Sequence, residues 1–256
     1  MPARTRSGSL ISMRITTESV DLTLDESPLR MLVARPKEEG TYPGVLFYSD
    51  IFQLTPTMAR ATARLAGYGF VVAAPEIYHR IEPPGTAIPF DDEGRTRGLD
   101  DAAKTAVAEF DATAAAVIKY LGDHPAVDPA RRFAAGFCIG GHLAFRAALH
   151  PDVKATACFY PTGVHNGKLG RDADAGSLAR AGEIRGRLLL VFGTLDPHVP
   201  PEARAAIDAG LKAAGTNVET KLYPGEHAFM RDEGPRYDPE ITDLAWADMI
   251  ALFRST

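Results

Sequence analysis

An α/β fold with a mostly parallel central sheet and helices on both faces is predicted for this chain, on three observations. Short, continuously apolar runs at 133–135, 155–159 and 188–192 have the character of strands covered on both sides. Such runs alternate with longer segments of helical pattern, the signature of βα units. The 256 residues, 45% of them hydrophobic, suffice for one large core of this kind.

The elements follow in order. Residues 14–24 and 30–34 read as an antiparallel strand pair around the turn Asp25-Glu26-Ser27-Pro28. Further strands are expected at 44–48, 70–74, 133–135, 155–159, 188–192 and 218–223. Helices are expected at 58–66, 100–121, 139–149, 201–214 and 239–253. The polar, turn-rich stretches 83–98 and 163–182 read as excursions over the rim of a site, because apolar segments continue on either side. No internal repeat and no domain boundary stands out, so residues 14–256 are expected to form a single domain. Residues 1–13, basic and without an apolar signal core, read as a disordered lead-in, with Met13 as an alternative start.

Composition excludes several classes of function. The formal net charge is −5 and the basic residues are scattered, which argues against a nucleic-acid footprint. No apolar run approaches the roughly 20 residues that span a bilayer. Only two cysteines occur, Cys138 and Cys158, and a disulfide would disable the first as a nucleophile, so a reducing cytoplasm is the expected location. Neither a phosphate-cradling glycine loop nor a Cys/His metal cluster is evident, and no cofactor or metal is expected.

The most informative run is Gly136-Phe137-Cys138-Ile139-Gly140-Gly141, a strand end followed by a helix that opens on small residues. It has the pattern of the nucleophile elbow of the α/β-hydrolase fold, with cysteine where serine is usual. Flanking glycines suit a sharp turn that forces the central residue into a strained backbone. The helix N-terminus behind it favours a thiolate. On this fold the acid and the histidine should follow, each in a loop after a strand. Asp196 lies in Gly193-Thr194-Leu195-Asp196-Pro197-His198, past the run 188–192. His227 lies in Pro224-Gly225-Glu226-His227, past the strand-like 218–223. Cys138, Asp196 and His227 are therefore the expected catalytic set.

From about Leu29 to Phe253 the chain resembles the dienelactone hydrolases. The resemblance is carried by the elbow at 136–141, by Gly-Thr-Leu-Asp-Pro-His-Val-Pro (193–200), Gly-Glu-His-Ala-Phe-Met-Arg (225–231) and Ala-Pro-Glu-Ile-Tyr (74–78). Tyr48-Ser49-Asp50-Ile51-Phe52 is similar to the family's segment that ends the third strand with a carboxylate and an oxyanion-hole residue. The resemblance implies cleavage of a carboxylated enol-lactone by a Cys-His-Asp triad through an acyl-thioester. A broader carboxylesterase or thioesterase, or a non-catalytic binding protein on the same fold, are the alternatives. Backbone N–H groups of Ile139 and Ile51 would form the oxyanion hole. Asp50 stands where the family commonly has glutamate in support of the thiol; it is one methylene shorter, which bears on its reach to Cys138, and the alternative is a loop carboxylate that caps a nearby turn. Arg231 resembles the family's carboxylate-binding arginine, the alternative being a surface pairing with Asp232 or Glu233. A second substrate arginine would be Arg95 or Arg97, with Arg97 preferred.

Tyr78 and Tyr160, near strand ends, are further candidate pocket residues. His142 reads as a packed histidine, His198 as a loop-tuning neighbour of Asp196, and Cys158 as buried and inert. His79, His124, His150 and His165 lack metal-ligand spacing and read as surface or loop residues. The expected partner is a small, anionic ester or lactone, with no nucleic acid or membrane, and the expected state is a monomer.

Overall fold

Strand and helix boundaries follow the apolar pattern through most of the computed structural model, which describes residues 13–256. Eight strands form one sheet in the order β1-β2-β4-β3-β5-β6-β7-β8. They are β1 (Ile15–Leu24), β2 (Ser27–Pro36), β3 (Tyr42–Tyr48), β4 (Val71–Pro75), β5 (Val127–Phe137), β6 (Val153–Phe159), β7 (Arg187–Gly193) and β8 (Val218–Tyr223). β1 pairs antiparallel with β2 and β2 antiparallel with β4, while β4, β3, β5, β6, β7 and β8 run parallel. The chain thus has the α/β-hydrolase architecture. The expected lead-in, 1–13, lies outside the described residues except for Met13. The first hairpin turns tighter than expected, on Asp25 and Glu26 alone, both with positive φ (48° and 64°).

The helices are α1 (Pro56–Ala66), α2 (Asp92–Lys104), α3 (Val107–Asp123), α4 (Ile139–Ala147), α5 (Pro201–Ala213) and α6 (Pro239–Arg254). Alternation along each strand divides the core in two. Leu188, Leu190 and Phe192 of β7 join the cluster that holds Phe110 of α3, Leu143 of α4 and Ile207 of α5. Leu189 and Val191 face the other cluster, with Met58 of α1 and Trp246 and Phe253 of α6. A one-residue slip in register would exchange the two faces, so the continuous apolar run specifies a strand buried on both sides.

One expected helix, 100–121, is two. The chain breaks at Thr105, which is extended (φ −82°, ψ 131°). The free N–H groups of the new helix start are met by side chains: Glu109 accepts from Ala106 at 2.6 Å and Asp172 from Val107 at 2.7 Å. α2 also begins eight residues earlier than expected, inside the supposed loop 83–98. Its Gly94 and Gly98 are not turn residues. A Cβ at Gly94 would lie 1.9 Å from the Pro89 carbonyl oxygen, and one at Gly98 would lie 2.4 Å from that of Ile51. The glycines let the helix pack closely against the cleft. Residues 163–182 remain largely irregular, with short 3-10 turns at Val164–Asn166 and Ala181–Glu183. Among the described residues, no helix is long and apolar enough to cross a membrane.

Candidate active site

Loops after the parallel strands β3, β5, β6, β7 and β8 gather at one sheet edge around a cleft of about 800 Å³. Cys138 lies on its wall, at the corner between β5 and α4, with φ 58° and ψ −120°. That backbone is unfavourable for a residue with a Cβ. The corner closes only because its flanks are bare: a Cβ on Gly136 would lie 2.0 Å from the Gly140 carbonyl oxygen, and one on Gly140 would lie 2.1 Å from that of Ser49. The Cys138 N–H donates to the Phe159 carbonyl at 3.0 Å, which ties the elbow to the end of β6.

His227 and Asp196 approach from the loops after β8 and β7. The two are buried, and His227 Nδ1 lies 2.8 Å from Asp196 Oδ2. The second Asp196 oxygen accepts from the His198 N–H at 2.8 Å, so both are engaged. Since that carboxylate only accepts, Nδ1 carries a proton and Nε2 is left for the sulfur, with which the imidazole hydrogen-bonds. Burial pushes the Cys138 thiol up, but the His227 charge and hydrogen bond, the Ile139 N–H and the Thr162 hydroxyl outweigh it, and the thiol falls below its ordinary range. Burial likewise pulls His227 down, and the Cys138 and Asp196 charges and hydrogen bonds reverse this, raising the imidazole well above its ordinary range. Both shifts favour one state, thiolate beside imidazolium. The Tyr160 ring packs edge-on to His227 at 5.2 Å, and His198 does so at 4.6 Å.

Asp50 and Arg231 pair with each other. Arg231 Nη2 meets Asp50 Oδ2, and Asp50 Oδ1 accepts from the Phe52 N–H at 2.9 Å. One oxygen thus caps the residue's own turn, the alternative reading of Asp50, and the other meets the guanidinium; Asp50 is not among the groups that hydrogen-bond the Cys138 sulfur. Its short side chain holds it to its own loop and to the arginine. The surface pairing considered for Arg231 is also absent among the described residues: Asp232 pairs with Arg60 at 2.6 Å. Arg231 is 6% exposed and lies against the rings of Phe52 (4.7 Å) and Phe90 (4.4 Å). Burial lowers it to about 10, so it stays charged at neutral pH. Its Nη1 is buried without a partner among the described residues.

Three expected substrate contacts move out of the cleft. Arg97 forms a fork with Glu82 (2.6 and 2.5 Å), while Arg95, two positions earlier and on a different side of α2, lines the cleft. Tyr78 is buried in the core. Tyr160 packs on the His227 imidazole and lines a separate cavity of about 100 Å³ behind Arg231. His79 is not a surface residue: it is buried between Ser27 Oγ (3.0 Å) and Thr113 Oγ1 (3.2 Å). Ile51 lines the cleft, and its N–H has no acceptor among the described residues. Thr162 escaped the sequence reading because it lies in an irregular loop with no motif. Phe90 escaped it because nothing local says that an exposed phenylalanine lies on an arginine.

Comparison with known proteins identifies the family. The model of the dienelactone hydrolase family matches residues 29–256. The chain belongs to the dienelactone hydrolase family. A Saccharomyces cerevisiae protein provisionally named carboxymethylenebutenolidase is 37% identical over 224 residues, covering 84% of this chain and 82% of that protein. A Pseudomonas carboxymethylenebutenolidase is 28% identical over 219 residues, covering 84% and 85%. Among solved structures, a provisional dienelactone hydrolase from Klebsiella pneumoniae superposes with a TM-score of 0.85 at 26% identity, covering 95% of this chain and 100% of that one. This family member therefore shares its fold with that solved structure over 95% of its length.

Proposed function

We propose that this chain hydrolyses a small lactone or carboxylic ester with Cys138 as nucleophile, His227 as acid and base, and Asp196 as the group that orients His227. The observation that carries the reading is Cys138 on a strained elbow (φ 58°) beside the buried His227, with Asp196 at 2.8 Å behind the imidazole.

The chemistry follows from the positions. The Cys138 sulfur attacks the carbonyl carbon, and the C=O electron pair moves onto oxygen. Ile139 and Ile51 N–H groups hold that oxyanion, each worth about 3 kcal/mol in comparable sites. Collapse expels the leaving oxygen, which takes the proton from His227 Nε2, and leaves a thioester. His227 then removes a proton from water as it attacks the thioester. The C–S bond breaks, the acid departs and the thiolate returns. Asp196 stabilises the imidazolium at each stage. A nucleophilic thiol works only while reduced, so we assign the enzyme to a reducing compartment, the cytoplasm.

For the substrate, the buried Nη1 of Arg231 and the nearby Arg95 favour a carboxylate. A second reading, a neutral ester, is favoured by the pairing of Arg231 with Asp50, which already neutralises the guanidinium. Steady-state kinetics on a carboxylated enol-lactone and on p-nitrophenyl acetate separate the two. Cys138→Ser should lose at least about 100-fold on either substrate, because a hydroxyl is a far weaker nucleophile than a thiolate. Mass spectrometry of a slow substrate should find the acyl group on Cys138. Full activity in the serine variant, or an adduct elsewhere, would overturn the mechanism.

A further inference from the structure

The loop that follows β6 is bound to the elbow by backbone contacts on both of its turns. The Phe159 carbonyl accepts from the Cys138 N–H at 3.0 Å, and the Thr162 N–H reaches the Cys138 carbonyl at 3.4 Å. Between them Gly141 of α4 passes so close that a Cβ there would lie 2.8 Å from the Phe159 carbonyl oxygen. Thr162 therefore stands beside the nucleophile on the cleft wall, half-buried, with a β-branched side chain of few rotamers.

Behind it lies a buried network outside the triad. His142 Nδ1 is 2.9 Å from the Thr162 carbonyl oxygen, and Nε2 is 2.7 Å from Ser177 Oγ. A carbonyl only accepts, so Nδ1 carries the hydrogen and Nε2 accepts from the serine hydroxyl. Ser177 Oγ in turn accepts from Arg146 Nη1 at 2.9 Å, and Arg146 is forked onto Asp111 at 2.7 and 2.5 Å. Burial holds His142 down to about 3, so its donor does not change over the working pH range. Past Thr162 the chain turns away at Gly163 (φ 74°), where a Cβ would lie 2.1 Å from the Lys168 carbonyl oxygen.

We propose that the Thr162 hydroxyl donates a hydrogen bond to the Cys138 sulfur and so stabilises the reactive thiolate, with His142 as the positioning residue that acts through the Thr162 carbonyl. The inference rests on Cys138 being the nucleophile. The proton lost by the thiol goes to His227 Nε2, and the hydroxyl keeps its own, so Thr162 lowers the energy of the anion without exchanging charge. Its hydroxyl is one of the donors that bring the thiol below its ordinary range against the effect of burial. The other groups that bear on the sulfur are His227 with Asp196 behind it, the Ile139 N–H, and the buried hydroxyls of Tyr78 and Tyr160. None of them is altered by a change at 162.

The test is the pH dependence of Cys138 alkylation by iodoacetamide, with the site assigned by mass spectrometry and folding checked by circular dichroism. Thr162→Val should raise the midpoint by about 1 unit, the effect of one hydrogen bond to a charged group. Thr162→Ala should do the same if the valine variant does not fold. Thr162→Ser should stay close to the parent. His142→Leu should shift the midpoint upward, and His142→Asn, which retains an N–H donor, should shift it less. A valine or alanine variant that folds and titrates with the parent would refute the role of Thr162. Unshifted titration in the leucine variant would refute that of His142. A parent protein whose Cys138 titrates as an ordinary thiol would instead remove the thiolate reading itself.

Discussion

Removing the carboxylate of Asp50 tests the assignment of this residue to Arg231. Asp50→Ala leaves a guanidinium that is 6% exposed without its ion-pair partner, and its Nη1 already has none among the described residues. Stripping one partner from a buried pair costs roughly 3–5 kcal/mol. The Phe52 and Phe90 faces and water entering the vacated space reduce this to about 2–3 kcal/mol here. For a domain of this size the loss corresponds to a fall of roughly 4–8 °C in Tm. The double variant Asp50→Ala/Arg231→Met no longer buries a lone charge and should recover most of the loss, giving a coupling of about 2 kcal/mol. Urea unfolding of the four proteins measures it. Acetate should raise the Tm of Asp50→Ala more than that of the parent, because it refills the anion position. The alkylation midpoint of Cys138 should stay at the parent value. A single variant within about 0.5 kcal/mol of the parent, or additive effects in the cycle, would refute the pairing. A shifted thiol midpoint would restore Asp50 to the activation of sulfur.

Two further outcomes follow from the geometry of α2. Arg95→Met should raise KM for a carboxylated substrate several-fold with little change in Tm, whereas Arg97→Met should leave KM alone and lower stability by about 1 kcal/mol by unpairing the buried Glu82; the reverse pattern would exchange their roles. Asp101, buried against Glu82, is raised to about 6 by burial and by that neighbour. Its native form therefore holds a proton that the unfolded form has released, and it costs stability as pH rises from about 4 to about 6. Asp101→Asn removes that dependence, so its stability relative to the parent should grow by about 1 kcal/mol between pH 4 and pH 7 in thermal melts, a value discounted for water at the rim; a pH-independent difference would contradict the shift.

What was legible in the sequence, and what was not, divides along a physical line. The strands of the parallel sheet could be read because burial on both faces leaves a continuous apolar run, as at Leu188–Leu190 and Val191. The order of Cys138, Asp196 and His227 could be read because the fold imposes it. The start of α2 could not, because Gly94 and Gly98 signal turns locally, whereas each gives room to a carbonyl: for Gly94 that of Pro89, in the bend just before the helix, and for Gly98 that of Ile51, 47 positions back along the chain. The partner of Asp50 was hidden for a related reason: its loop and Arg231 are 181 positions apart, and only their meeting in space decides whether the carboxylate serves the sulfur or the guanidinium.

Strain shows the same division in sharper form. Of the six non-glycine residues with positive φ among the described residues, two make the β1–β2 turn and four, Gln53, Cys138, Tyr160 and Ala228, lie at or beside the cleft. Only Cys138 carries a local sign, its flanking glycines. Gln53 is held by its side chain, which accepts from the Tyr78 N–H at 3.0 Å and donates to the Thr86 carbonyl at 3.1 Å. Tyr160 is held by its N–H on the Val191 carbonyl at 2.7 Å. Each such backbone costs of order 1–3 kcal/mol and survives because its surroundings over-determine it. The cost is concentrated where the Cys138 elbow, the Tyr160 ring and the loop of His227 and Ala228 converge on one space. A chain optimised only for stability would have placed glycine at all four, and the three side chains other than Cys138 are therefore the residues whose replacement by glycine separates their contribution to the site from their contribution to the fold.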